Sequence, residues 1–229
     1  NKGTMCGAVS ATDTAWYSSG QKAPLFEGLK GIHFAVSTKN EEAQKYFDQG
    51  LMLSFGFNHA EAARSFYEAA RLDSGCAMCW WGYAYVLGPN YNAGMEPDNF
   101  KRAYTASQKA IQYSTSSTDL EKDLIAALSF RYSADTSIAR AQLDSAYSSQ
   151  MKKVYEKYKS DPTVAALFAE SLLDLNPWDL WLKSGEARSW TGEIISVLAE
   201  GLKLDAKHPG LNHFNIHAWE ASRQAEKAI

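Results

Sequence analysis

Residues 40–88 read NEEAQKYFDQGLMLSFGFNHAEAARSFYEAARLDSGCAMCWWGYAYVLG, and their spacing decides the fold. Ala43, Tyr46, Phe47, Gly50, Leu51 and Leu53 recur at helical intervals. After a short polar break, Ala62, Ala63, Phe66, Ala69, Ala70 and Leu72 do the same. A period of about 3.6 rather than 2 predicts two amphipathic helices. A third begins after Asp73-Ser74-Gly75. Gly50 and Ala62 are small, so two antiparallel helices can approach closely there, with Phe66 and Ala69 on the seam.

This order of residues resembles the tetratricopeptide repeat. In that family a large residue precedes a small one on the first helix, as Tyr46 precedes Gly50. The second helix carries alanines around an aromatic, as Ala62, Phe66 and Ala69 do. Where the family often ends the repeat with proline, this chain has Ser74. A period of about 34 residues puts Trp80 and Ala84 where Tyr46 and Gly50 stand. The resemblance covers 43–110 closely and 163–229 more loosely. Tyr46-Phe47-Asp48-Gln49-Gly50, Phe57-Asn58-His59, Leu87-Gly88-Pro89-Asn90 and His208-Pro209-Gly210-Leu211-Asn212-His213 also resemble larger exported proteins of this superfamily, in which similar histidine-bearing motifs recur. The resemblance implies an all-α, right-handed superhelical array of antiparallel helix pairs. For the superfamily it implies a protein or peptide partner on the concave face.

Composition sets limits. The chain has 229 residues, 45% of them hydrophobic, enough for a real core. The formal net charge is −3 and no Lys/Arg block appears, which argues against nucleic acid and anionic membrane as partners. No apolar run reaches the roughly 18 residues a membrane span needs. Seven Trp, twelve Tyr and ten Phe serve as packing between helices or line an aromatic binding surface. The chain opens Asn1-Lys2-Gly3, which reads as a trimmed start. Together with Cys6, Cys76 and Cys79, that start predicts a secreted or periplasmic location.

Residues 1–40 read as an irregular arm that lays Trp16-Tyr17 and Leu25-Phe26 on the helical domain of 41–229. Ser37-Thr38 is a cap candidate for a helix over 41–55. A helix from Ala77 to Leu87 leads into 88–97, where two Pro and two Gly mark an inserted loop. Thr118 and Glu121 have capping-box spacing ahead of a helix to about Tyr132. Further helices are expected over 136–158 and from Pro162 to near Leu175. A second insertion follows at 176–189, and Thr191 is expected to cap a helix through Leu204. Gly201-Leu202-Lys203-Leu204-Asp205 parallels Ala69-Ala70-Arg71-Leu72-Asp73, so a new repeat starts at Pro209. Residues 224–229 parallel His59–Ala63 and predict the start of its second helix. The chain is therefore expected to continue past Ile229, or to be covered there by a partner or a stacked second copy.

His213 and His217 are one helical turn apart on one face, with Glu220 a turn further on. That spacing suits Zn or Cu, and His33 and His59 could complete a ligand set if the arm folds back. Phe214 stands where a metalloprotease would carry its general base, so that chemistry is not indicated. The plainer reading is that these histidines are buried and hydrogen-bonded. Cys76-Ala77-Met78-Cys79 opens a helix, where thiol pKa falls. No strand precedes it, and Trp80 stands where haem attachment would need His. A disulfide within the motif, a bridge to Cys6, buried thiols and a Cu(I) site with Met78 all remain open.

Two functions follow from the residues. The leading one is a non-enzymatic scaffold or assembly subunit, since no nucleophile elbow, P-loop or paired-carboxylate motif stands out. The alternative is a metal-binding extracytoplasmic protein, with a metal-dependent enzyme as its extension. Both insertions leave the ends of first helices of repeats, so they are expected to meet at one rim. There Asn90, Tyr91, Trp178 and Trp181 would wall a ligand pocket above His213 and His217.

Overall fold

The computed structural model describes residues 14–228, which form ten α-helices joined by turns and loops. In chain order they are α1 (Thr14–Ser19), α2 (Glu41–Phe55), α3 (His59–Leu72), α4 (Ala77–Val86) and α5 (Asn99–Tyr113). α6 (Asp119–Ser129), α7 (Arg140–Lys157), α8 (Pro162–Leu173), α9 (Thr191–Leu204) and α10 (Pro209–Trp219) complete the set. From α2 onward each helix packs on the next, and α4 also meets both α2 and α6. The expected all-α class is what the chain adopts over the described residues.

The α2–α3–α4 layer is set by small residues. Phe66 on α3 is fully buried, and its ring lies where a Cβ on Gly50 or Gly82 would have to be, 2.8 and 2.3 Å away. One aromatic therefore keys two neighbouring helices, and only glycine leaves it room. Gly82 was not singled out in the sequence, because Trp80 and Ala84 carry the repeat spacing on either side of it.

Local signals account for most boundaries. Asp161 accepts from the Thr163 and Val164 amides at the start of α8, with Pro162 in the first turn. Thr118 and Glu121 form a reciprocal capping box on α6. The Glu121 carboxylate also takes the Ser37 amide and hydroxyl, both at 2.5 Å. That contact corrects the expected cap. Ser37 is committed to Glu121 and Thr38 to Asp73, while Asn40 caps α2 through the Glu42 and Ala43 amides. Thr191 is likewise no cap: its hydroxyl donates to the Leu180 carbonyl, and it is the first residue of α9. α7 starts at Arg140 rather than 136, because an Asp135 side-chain turn holds Ser137 outside the helix.

The arm is partly helical. α1 seats Tyr17 against Tyr67 and Tyr83, at ring distances of 5.0 and 5.9 Å. Leu25 and Phe26, expected to be packed, are exposed. The backbone beside them is what α2 holds: Tyr46 donates to the Ala23 carbonyl, and Gln49 bonds both Pro24 and Phe26. Residues 225–228 form a short 3-10 turn rather than an α-helix.

Two features bear on the expected open groove. α10 returns to pack on α2 as well as on α8 and α9. The interior also carries buried polar links between distant helices. Tyr85 on α4 donates to Glu170 on α8, and Arg131 pairs with Asp174 at 2.6 Å. Cys76 and Cys79 stand at disulfide distance with Cα atoms 5.3 Å apart, whereas Cys6 lies outside the described residues. No helix among the described residues is long and apolar enough to cross a membrane.

Candidate functional site

The site forms where α10 meets the end of α2. His208 precedes α10, and its Nδ1 accepts the Leu211 amide at 3.2 Å. Its Nε2 therefore carries the hydrogen and faces the Thr163 hydroxyl at 3.2 Å. Gly210 follows, with Phe55 carbons 2.8 Å from where a Cβ would sit, so α10 can approach α2 closely. Phe214, Leu211 and Ala218 face the core. His213 and His217 fall beside that stripe, half-buried, and look toward the loops.

The end of α2 supplies the first partner. Phe55 is the last helical residue, so its carbonyl lacks a helical donor. His213 Nδ1 donates to it at 2.5 Å. Beyond it the chain closes the helix through Asn58 N to Leu53 O (2.9 Å) and Phe57 N to Ser54 O (3.0 Å). This is the pattern that normally puts glycine in the left-handed position. Here Phe57 occupies it, at φ 56°, although Gly56 is next to it. A left-handed non-glycine residue costs about 1–2 kcal/mol. What it achieves is placement: the Phe57 ring lies 4.6 Å from His213 and stacks on His217 at 5.3 Å and on His59 at 5.6 Å.

His217 is held from the other side. Its Nδ1 donates to Glu220 Oε1 at 2.7 Å, and its Nε2 stands 3.1 Å from His213 Nε2. A backbone carbonyl and a carboxylate only accept, so both Nδ1 atoms carry hydrogen. Each neutral ring then presents a bare Nε2 lone pair to the other. Two lone pairs at that distance repel unless a cation, either a proton or a metal ion, lies between them. Burial pushes the His213 pKa down and the Phe55 carbonyl opposes it, while the neighbouring His217 lowers it further.

Both insertions reach this pair. Tyr91 lies 5.0 Å from the His217 ring and stacks on Trp178 at 5.2 Å, and Trp178 meets His217 edge-on at 6.1 Å. Burial pushes the Tyr91 phenol up to about 12, against a hydrogen bond from the Trp178 backbone. Trp178, like Phe57, is left-handed, at φ 60°. Of the other candidates, Asn90 lines one groove with Tyr91 and Trp178, whereas Trp181 does not. Trp181 turns away, donating to the Ala218 carbonyl at 2.8 Å and packing on Trp219. Asn90 spends its side-chain oxygen on the Asn92 and Ala93 amides, which shapes the loop.

The wider metal set does not assemble. His33 donates to Asp48 at 2.7 Å. His59 gives Nδ1 to the Phe57 carbonyl at 3.1 Å, and burial pushes its pKa down to about 4. Glu220 binds the back of His217 and so orients it. Among the described residues no group of three or more His, Cys, Asp or Glu side chains could hold a metal ion. Phe57 and His208 adjoin this region, and the sequence reading quoted them only inside the motifs Phe57-Asn58-His59 and His208–His213, without a site role. A second signal for Phe57 is its place just after a helix end marked by Gly56.

No protein-family model, no curated protein and no solved structure matches this chain.

Proposed function

We propose that the chain binds a borderline divalent metal, Zn or Cu, through Nε2 of His213 and His217. The observation that carries this is the convergence of those two atoms at 3.1 Å while both Nδ1 protons are given to acceptors. A carbonyl or carboxylate behind each imidazole is how metal-bound histidines are oriented and made more basic. An ion about 2.0–2.1 Å from each nitrogen would be held at an angle of about 95–102°, somewhat below tetrahedral. Two protein nitrogens leave further positions to water or a small molecule entering beside Phe57, Tyr91 and Trp178.

The test is calorimetric titration of chelator-treated protein with Zn and Cu(II), followed by elemental analysis. One equivalent is expected, lost in His217→Ala and in His213→Ala. Glu220→Gln should weaken affinity by about 10–100-fold. A folded wild-type chain that takes up neither ion overturns the reading and leaves a shared proton between the rings.

The tetratricopeptide-like arrangement is part of the same proposal. It is supported by successive helix pairs, by Phe66 keyed into Gly50 and Gly82, and by the packing of α4 on both α2 and α6. The scaffold reading has less support, because Tyr85–Glu170 and Arg131–Asp174 are buried links that tie distant parts of the chain together. An extracytoplasmic location is supported by the Cys76–Cys79 pair.

A further inference from the structure

We propose that the groove between the two inserted loops binds a neutral saccharide, with one sugar ring on the outward face of Trp178. The groove encloses about 740 Å³, and its walls include Trp178, Asn92, Arg140, Asp144, Asp174 and Asn176. It goes beyond the metal reading, because it uses none of the histidine nitrogens.

The platform comes first. Trp178 is 59% exposed, yet it is held firmly: Tyr91 stacks on it and His217 meets it edge-on. Its backbone is left-handed, which is strained for a residue with a side chain. A large apolar ring fixed toward solvent at that cost matches a flat ligand with one apolar face. A pyranose has such a face in its axial C–H bonds.

Charge then selects among flat ligands. Arg140 Nε donates to both oxygens of Asp144, at 3.1 Å each. Arg131 beneath the groove pairs with Asp174 Oδ2 at 2.6 Å. Two guanidinium groups and two carboxyl groups are thus paired among themselves. The groove is polar but offers no single unpaired charge, which disfavours a quaternary ammonium or a polyanion.

Two unmet groups point to hydroxyls. Asp174 Oδ1 and Asn92 Oδ1 are buried and have no hydrogen-bond partner, and the Asp174 side chain is only 2% exposed. A buried polar atom left unpaired is costly, so each calls for an occupant. Burial pushes the Asp174 pKa up and Arg131 opposes that. A hydroxyl both donates and accepts, so it satisfies Oδ1 in either protonation state. An ammonium or a carboxylate satisfies only one.

The experiment is titration of the full chain, in EDTA, with maltohexaose, cellohexaose, mannohexaose and xylohexaose, followed by tryptophan fluorescence and calorimetry. Hexagalacturonate and choline are run beside them. At least one neutral hexasaccharide should saturate one site per chain. Trp178→Ala should weaken it by about tenfold or more, and Asn92→Ala by a smaller factor. Trp80→Ala, away from the groove, should leave affinity unchanged. Asn92 lends the loop only its backbone amide, so that variant keeps the test sound if Trp178→Ala does not fold. Failure of all four neutral probes at about 10 mM, tighter binding of hexagalacturonate or choline, or unchanged affinity in the variants overturns the proposal.

Discussion

Tyr85 on α4 donates its phenol hydrogen to Glu170 on α8, and both side chains are buried. Burial pushes Glu170 from 4.5 up to about 7, against the Tyr85 hydrogen bond and Arg131. The folded chain therefore holds this proton where the unfolded chain releases it. Between about pH 4.5 and 7 the native state binds more protons, so stability from this group is full at low pH and declines as pH rises. The full span is on the order of 3 kcal/mol. Denaturant midpoints of Glu170→Gln, measured across that range, should lose this falling component. An identical slope in variant and wild type would count against it.

His59 works in the opposite direction. Its pKa falls from 6.5 to about 4 because burial disfavours the cation. The unfolded state binds more protons between those values, so acid destabilises the fold as pH drops from 6.5 toward 4. His59→Asn keeps a donor for the Phe57 carbonyl and removes the titration. Its stability should exceed that of the wild type at pH 4.5 relative to pH 7.5, by on the order of 2–3 kcal/mol. Parallel pH profiles would rule this account out.

Gly82→Ala should destabilise by about 1–3 kcal/mol or more, through overpacking against Phe66. Phe66→Leu alone opens space at the same point. Combined, the two changes should cost less than their sum, and strict additivity in a double-mutant cycle would show that the contact is not the cause.

Arg131→Met should cost about 3–5 kcal/mol, since it strands buried Asp174 beside Asp144. Adding Asp174→Leu should recover part of that loss. Chemical denaturation reads both, and a near-neutral Arg131→Met would mean that the network is not needed for stability.

The sequence made the helices visible wherever a local code sufficed. Apolar spacing marks α2 and α3, Asp161-Pro162 marks α8, and Thr118 with Glu121 marks α6. The site was half visible. His213 and His217 share a face by helical geometry, and turn residues flagged both loops that carry Tyr91 and Trp178. Phe57 was not legible, because glycine is the residue that normally marks a left-handed helix end, and Gly56 sits one position early. Arg131 and Asp174 were not legible either. They lie 43 residues apart, and nothing in helical periodicity pairs two charges across that distance. Ser37 is drawn away from capping α2 for the same reason, by a contact with Glu121 84 residues away, and Asn40 caps instead.

The seam between α2 and α10 has a consequence for the order of assembly. His213 and the Phe55 carbonyl it caps are separated by 158 positions. At about 5–20 residues per second, a ribosome would leave Phe55 waiting roughly 8–30 s for the helix that covers it. Until then the α2 end offers bare aromatic surface to any passing chain. The described residues cannot assemble purely as a zipper of neighbours, since α2 is finished only by α10. Such distant closure raises contact order and slows the final step of folding. Chaperone dependence should thus track the Phe55–Phe214 seam rather than the more local α2–α3–α4 layer.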